Sequence, residues 1–90
     1  MGEPWWVYLI ECRGGGIYVG MAKDVAYRYR KHTEGRGALY TKLNPPERLL
    51  AKTLCATRLE ATRLERTLKS MSSLDKRRWA LRLSENPKIR

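Results

Sequence analysis

Tyr8 and Tyr18 stand on either side of a glycine-rich turn, Arg13-Gly14-Gly15-Gly16. A phenol donates or accepts a hydrogen bond and, once ionised, takes a proton, so two of them side by side on one face of a hairpin would form a small reactive surface. Spacing alone does not fix that arrangement, because a register slip of one residue turns a side chain to the opposite face. Further along, Arg28 and His32 are spaced i, i+4 in one helical segment, and Glu65 lies among cationic residues in a later one. A guanidinium can hold a phosphate in a fork of hydrogen bonds, an imidazole can pass a proton, and a carboxylate can hold a hard cation. Taken singly, each residue also has an ordinary structural reading. The tyrosines serve as hairpin aromatics, His32 as a hydrogen-bonded structural residue, and Glu65 as the i, i+4 partner of Lys69 in an ion pair worth a few tenths of a kcal/mol, about 0.2–0.5.

Order and spacing change that balance. The ordered set of tyrosines, Gly20, the helical Asp24-Val25-Ala26-Tyr27-Arg28-Tyr29-Arg30-Lys31-His32 and the Leu64-Glu65-Arg66 stretch resembles the GIY-YIG nuclease family, in its small single-domain bacterial branch. The first named tripeptide falls on Trp6-Val7-Tyr8, which keeps only the tyrosine, and the second on Tyr18-Val19-Gly20, where valine replaces isoleucine. The resemblance covers Trp5 to about Arg77. It implies a metal-dependent DNA endonuclease in which Tyr8 orients or deprotonates water and Tyr18 binds the phosphate or that water. It makes Arg28 the phosphate clamp, His32 a proton relay or phosphate brace, and Glu65 the ligand of one Mg²⁺ or Mn²⁺. Which tyrosine is the base stays open. Repair or processing of single-stranded or branched DNA is the expected setting, with duplex DNA also a possible partner. A catalytically inactive nucleic-acid-binding module is the alternative, and a basic surface for an acidic protein partner is a further one.

Composition agrees with a polyanion as partner. The 90 residues carry 19 Lys and Arg against 9 Asp and Glu, a formal net charge of +10 and a sequence pI of about 10.1. Several basic groups engaging phosphates release counterions, which makes nucleic acid the leading partner class. A membrane surface fits less well, because the charge is spread along the chain and no basic helix has a broad apolar face. The start Met1-Gly2-Glu3-Pro4-Trp5 lacks the basic-then-apolar pattern of a secretion signal, so a cytoplasmic location is expected. Cys12 and Cys55 have neither zinc-site spacing nor the density of a disulfide scaffold and read as reduced thiols; whether they are neighbours is open.

These residues require an α/β scaffold with a three-stranded antiparallel sheet flanked by helices. Trp5–Cys12 and Ile17–Gly20 are β-branched and aromatic and form the hairpin. Asp24 is an N-cap, Val25, Arg28, Tyr29 and His32 share one helical face, and Gly35 stops the helix. Gly35–Lys42 reads as a mobile basic loop in which Arg36 and Lys42 contact phosphates and Tyr40 stacks on a base, or as an ordinary connection. Arg48–Leu54 is the third strand. Thr57-Arg58-Leu59-Glu60 is a capping box, followed by a buried stripe of Ala61, Leu64, Leu68 and Met71 with Glu65 at its border and Lys69 as a further nucleic-acid contact. A last helix begins at Ser72 or Ser73, with Leu74, Arg78 and Leu81 on one face and Trp79 adding core area. Lys76-Arg77-Arg78 is a solvated face or another phosphate contact. One domain is expected over 1–90, with a core of about 5–82 and a frayed tail over 83–90.

Overall fold

The computed structural model describes residues 2–85. Strands β1 (Trp5–Cys12), β2 (Ile17–Ala22) and β3 (Pro46–Cys55) form one antiparallel sheet in the order β2-β1-β3. Helix α1 (Val25–Thr33) and the short α2 (Leu39–Leu43) lie between β2 and β3, and α3 (Arg58–Lys69) and α4 (Ser73–Glu85) follow the sheet. The hairpin turn closes through Cys12 N–H to the Gly16 carbonyl at 2.9 Å and Gly15 N–H to the Cys12 carbonyl at 3.0 Å. Gly14 and Gly15 both have φ +89°, backbone that side-chain-bearing residues avoid, which explains the glycine run.

β1 is the central strand and is covered on both faces, so Val7, Tyr8, Leu9 and Ile10 are all buried despite pointing alternately up and down. One face, with Val7, Leu9, Ile17 and Val19, packs under Ala61 and Leu68 of α3. The other, with Tyr8, Ile10, Cys12 and Ala22, packs against Val25 and Tyr29 of α1. Cys12 therefore belongs to the second cluster while Cys55 borders the first, and register places them at opposite ends of β1, where Trp5 faces Cys55 and Cys12 faces Pro46. They are not neighbours, and both are free.

The caps form where local chemistry demands them. The Asp24 carboxylate accepts from Tyr27 N–H at 3.0 Å, and the Thr57 hydroxyl oxygen accepts from Glu60 N–H at 3.1 Å. The second half of the expected capping box differs, because the Glu60 carboxylate meets the Thr57 hydroxyl at 3.4 Å. In α4, Asp75 N–H donates to the Ser72 hydroxyl at 3.1 Å.

Several expectations change at this level. Gly35–Lys42 is not a loop throughout, since Leu39–Leu43 is helical and Thr41 is buried. Leu74 and Leu81 are exposed, whereas Ala80 and Leu83 are the buried residues of α4, the helix that packs on β3. The helix runs to Glu85 and Leu83 is buried, while 86–90, most of the expected frayed tail, lie outside the described residues. Arg77 is no free phosphate contact either. Its guanidinium donates to the Glu11 carboxylate and, at 2.7 Å, to the Gly15 carbonyl, which ties α4 to the hairpin turn. Arg77 and then Arg48, at 2.7 Å on the other Glu11 oxygen, hold that carboxyl below its ordinary pKa.

Candidate active site

β1 and β2 pair so that Tyr8 faces Gly20 and Ile10 faces Tyr18, which brings both phenols to the α1 face of the sheet. Their ring centroids are 6.3 Å apart. The register left open by the sequence is therefore the one that gathers them. Gly20 is what permits it, since a Cβ there would lie 2.5 Å from the Tyr8 hydroxyl and 2.6 Å from Cζ. His32, projecting from α1, completes the cluster, with its ring 4.9 Å from Tyr18 and 6.1 Å from Tyr8.

The hydrogen bonds run in one direction. The Thr41 hydroxyl donates to the Ala38 carbonyl at 2.8 Å, so its oxygen is left to accept from His32 Nδ1–H, also at 2.8 Å. With the proton on Nδ1, Nε2 is the bare nitrogen, and it accepts from the Tyr8 hydroxyl at 3.0 Å. Thr41 and Ala38 thereby fix both the tautomer of the imidazole and the direction of the Tyr8 hydroxyl, a second-layer role of the kind that orients histidines elsewhere. Gly37 is packed against the ring, where a Cβ would come within 2.1 Å of Nδ1. Nothing in the sequence points to Thr41. It lies in a segment with no clear periodicity, and its partner is reached only when the chain folds back on α1.

A Thr41→Val variant keeps nearly the same volume and removes the acceptor. The buried Nδ1–H is then unsatisfied, at a cost of about 1–3 kcal/mol. The expected result is a lower urea midpoint together with a shift of the imidazole toward the Nε2–H tautomer. Because His32 is the chain's single histidine, nitrogen-15 NMR reads that tautomer directly. An unchanged Nδ1–H signal in the variant would contradict the assignment.

Electrostatics set the resting protonation. Burial, with smaller contributions from Tyr18 and Glu65 and partly offset by Arg28, pushes the Tyr8 phenol up to about 12. Tyr18 is also raised, first by burial, with Arg28 opposing and the Glu65 charge adding. His32 is lowered by burial and then by the Arg28 charge, so it is neutral at pH 7 and its Nε2 is available. Arg28 acts to lower the Tyr8 pKa, and burial outweighs it.

Arg28 and Glu65 belong to this cluster through their fields, since both charges are felt at the two phenols. Glu65 stays partly open, with its side chain 20% exposed and Lys69 beside it at 3.6 Å as the i, i+4 partner. Among the described residues no group of three or more His, Cys, Asp and Glu could hold a metal. That donor set does not suit a structural zinc cage. It does suit one hard cation bound through a single carboxylate, with oxygens of water and substrate completing the shell.

The expected nucleic-acid contacts are more scattered. Tyr40 lies over Gly16 and is stacked on Tyr18 at 6.3 Å between centroids and 23° between planes, which places it beside the phenol cluster with 40% of its surface exposed. Arg36 is paired with Glu34 at 2.5 Å. Lys42 is exposed on α2, and Lys69 is the residue of this group that adjoins Glu65.

The sheet thus presents two tyrosines to α1, which carries Arg28 and His32, with Glu65 on α3. The chain belongs to the GIY-YIG family, whose catalytic-domain model matches residues 4–78. Within it, the chain is similar to small bacterial UPF0213 proteins. A UPF0213 protein of Cupriavidus pinatubonensis is 40% identical over 83 residues, 92% of each chain. A UPF0213 protein of Xanthomonas axonopodis pv. citri is 39% identical over 77 residues, 86% of this chain and 76% of the relative. The solution NMR structure of the UPF0213 protein BH0048 from Bacillus halodurans superposes with a TM-score of 0.56 at 35% identity, covering 94% of this chain and 89% of that one.

Proposed function

We propose that this chain is a divalent-metal-dependent endonuclease that hydrolyses phosphodiester bonds in DNA, in repair or in processing of single-stranded or branched substrates. The observation that carries this reading is the directed chain of hydrogen bonds from Tyr8 through His32 to Thr41, set beside Arg28 and Glu65. A phenol with a pKa of about 12 is a poor base by itself. It acts as one when its own proton has somewhere to go. Water gives a proton to the Tyr8 oxygen as the Tyr8 proton passes to His32 Nε2, and the water oxygen attacks phosphorus while the bond to the leaving oxygen breaks and that oxygen takes a proton from solvent. The imidazolium formed is held through Nδ1–H by Thr41. Arg28 binds the phosphoryl oxygens, and Tyr18, half-buried at the site, positions the phosphate or the water. Glu65 would hold the Mg²⁺ or Mn²⁺, which supplies charge neutralisation at the phosphoryl and leaving oxygens.

This scheme has a pH signature. Protonated His32 cannot accept from Tyr8, so activity is expected to be lost as pH falls through the folded-state pKa of His32, below the ordinary 6.5, and to be flat through neutrality. A pH–rate profile at saturating metal tests it. An acidic limb that persists unchanged in His32→Gln would assign the limb to another group.

A second reading rests on the burial of Tyr8, which is only 1% exposed. In it the phenol is core packing satisfied by His32, and the domain binds nucleic acid without cutting it. The deciding experiment incubates the protein and its Arg28→Ala variant with labelled single-stranded, duplex and branched DNA and with RNA, each with Mg²⁺, Mn²⁺ or EDTA. Metal-dependent cutting that falls about 10²–10³-fold in the variant supports the nuclease. Binding without cutting in every lane supports the second reading.

A further inference from the structure

Beside Arg28 the surface opens into a cleft of about 420 Å³ that the catalytic cluster does not use. Trp5 from the start of β1, Met21 from the end of β2 and Tyr27 from the first turn of α1 form its walls, and Arg28 closes one side. The lining is dominated by carbon, and Ala22, Lys23 and Asp24 complete it. A phosphate gains little from the carbon-lined walls formed by Trp5, Met21 and Tyr27. A flat apolar ring with polar edges gains more, and the volume is within the ~300–1,000 Å³ of small-ligand clefts.

We propose that this cleft receives an unpaired nucleobase adjoining the phosphate held by Arg28, so that the substrate is single-stranded at that nucleotide. The inference rests on the reading of Arg28 as the phosphate clamp. Stacking on aromatic side chains is tolerant of sequence because every base has a π-face. Cations already stand over both rings. Lys23 and Arg58 lie 5.5 and 5.2 Å from the centroid of Trp5, and Lys31 lies 5.3 Å from that of Tyr27. Their long side chains are free to turn toward the phosphates that flank an incoming base, although Lys23 also gives up its pairing with Glu3 when it does so. A base stacked in a duplex does not reach the cleft without leaving the helix, which gives the preference for single strands its physical origin.

The test uses wild-type protein in EDTA, where binding is read apart from cleavage. Single-stranded DNA oligonucleotides carry 2-aminopurine at one position at a time, and a second set carries one abasic nucleotide. The expected result is strong quenching at one position, and binding about tenfold weaker in Tyr27→Ala, a variant at a 46%-exposed residue where the fold tolerates change. With the abasic oligonucleotide at that position, Tyr27→Ala has no further effect. Absence of a quenched position, or equal weakening of intact and abasic strands, overturns the proposal, as does a paired duplex that binds as tightly through Tyr27. If one position is quenched but no metal supports cutting, the cleft stands and the nuclease reading fails.

Discussion

Glu65→Ala is expected to abolish metal-dependent cleavage while leaving binding to labelled single-stranded DNA largely intact. The buried Ala61 and Leu68 seat α3 on the sheet, which leaves Glu65 at the border of that stripe, where its charge reaches Tyr8 and Tyr18. Among the described residues no group of three or more His, Cys, Asp and Glu offers a ready-made metal cage. The loss should reach at least the ~10²–10³-fold seen when a single charge-stabilising group is removed from a catalytic centre. Stability should scarcely change, because the pair with Lys69 is solvent-exposed on its lysine side and such i, i+4 pairs contribute roughly 0.3–0.5 kcal/mol. Binding should not weaken, since removing one negative charge from a chain of net charge +10 leaves it at least as attractive to a polyanion. Gel-shift and cleavage assays on the same preparation separate the two effects. Equal cleavage by the variant and the parent would end the assignment of Glu65 as the metal ligand.

Tyr8→Phe carries the second large effect. The ring and its packing against Ile10 and Val25 remain, and only the hydroxyl is lost. Turnover is expected to fall about 10²–10⁴-fold, the range for removal of a group that transfers a proton in the transition state. His32 Nε2 also loses its donor in the interior, which should lower stability by about 1–3 kcal/mol. Circular dichroism and a urea titration establish that the fold survives, so that a rate loss can be credited to the phenol. Full turnover in a folded Tyr8→Phe protein would leave Tyr8 as a packing residue and move the base elsewhere, with Tyr18 the next phenol to test.

What the sequence made readable is what short-range chemistry determines. Asp24 and Thr57 cap their helices by reaching three residues ahead, and the glycine run between two β-branched strands leaves few alternatives to a hairpin. The tyrosines, Arg28, His32 and Glu65 were found through the order of the family's motifs, and the hairpin register then brings the phenols to one face. Contacts that depend on the chain returning from a distance were not readable. Thr41 reaches His32 across nine positions, and Arg77 reaches Glu11 across 66. The buried side of α4 was obscured because Ala80 gives a weak apolar signal, while the more conspicuous Leu74 and Leu81 face solvent. For Glu65 the ion pair with Lys69 forms, and the charge of the same carboxylate is also felt at the two phenols.

The site is bounded on two sides by side chains that do not exist. Gly20 leaves the room that Tyr8 fills, and Gly37 leaves the room that His32 fills. Neither glycine offers a functional group, yet adding one methyl group at either position would displace a ring that the proposed relay depends on. A lineage drifting toward a purely binding role could therefore keep every reactive residue intact and still lose catalysis through a single alanine, so the inventory of reactive side chains alone would misclassify it as active.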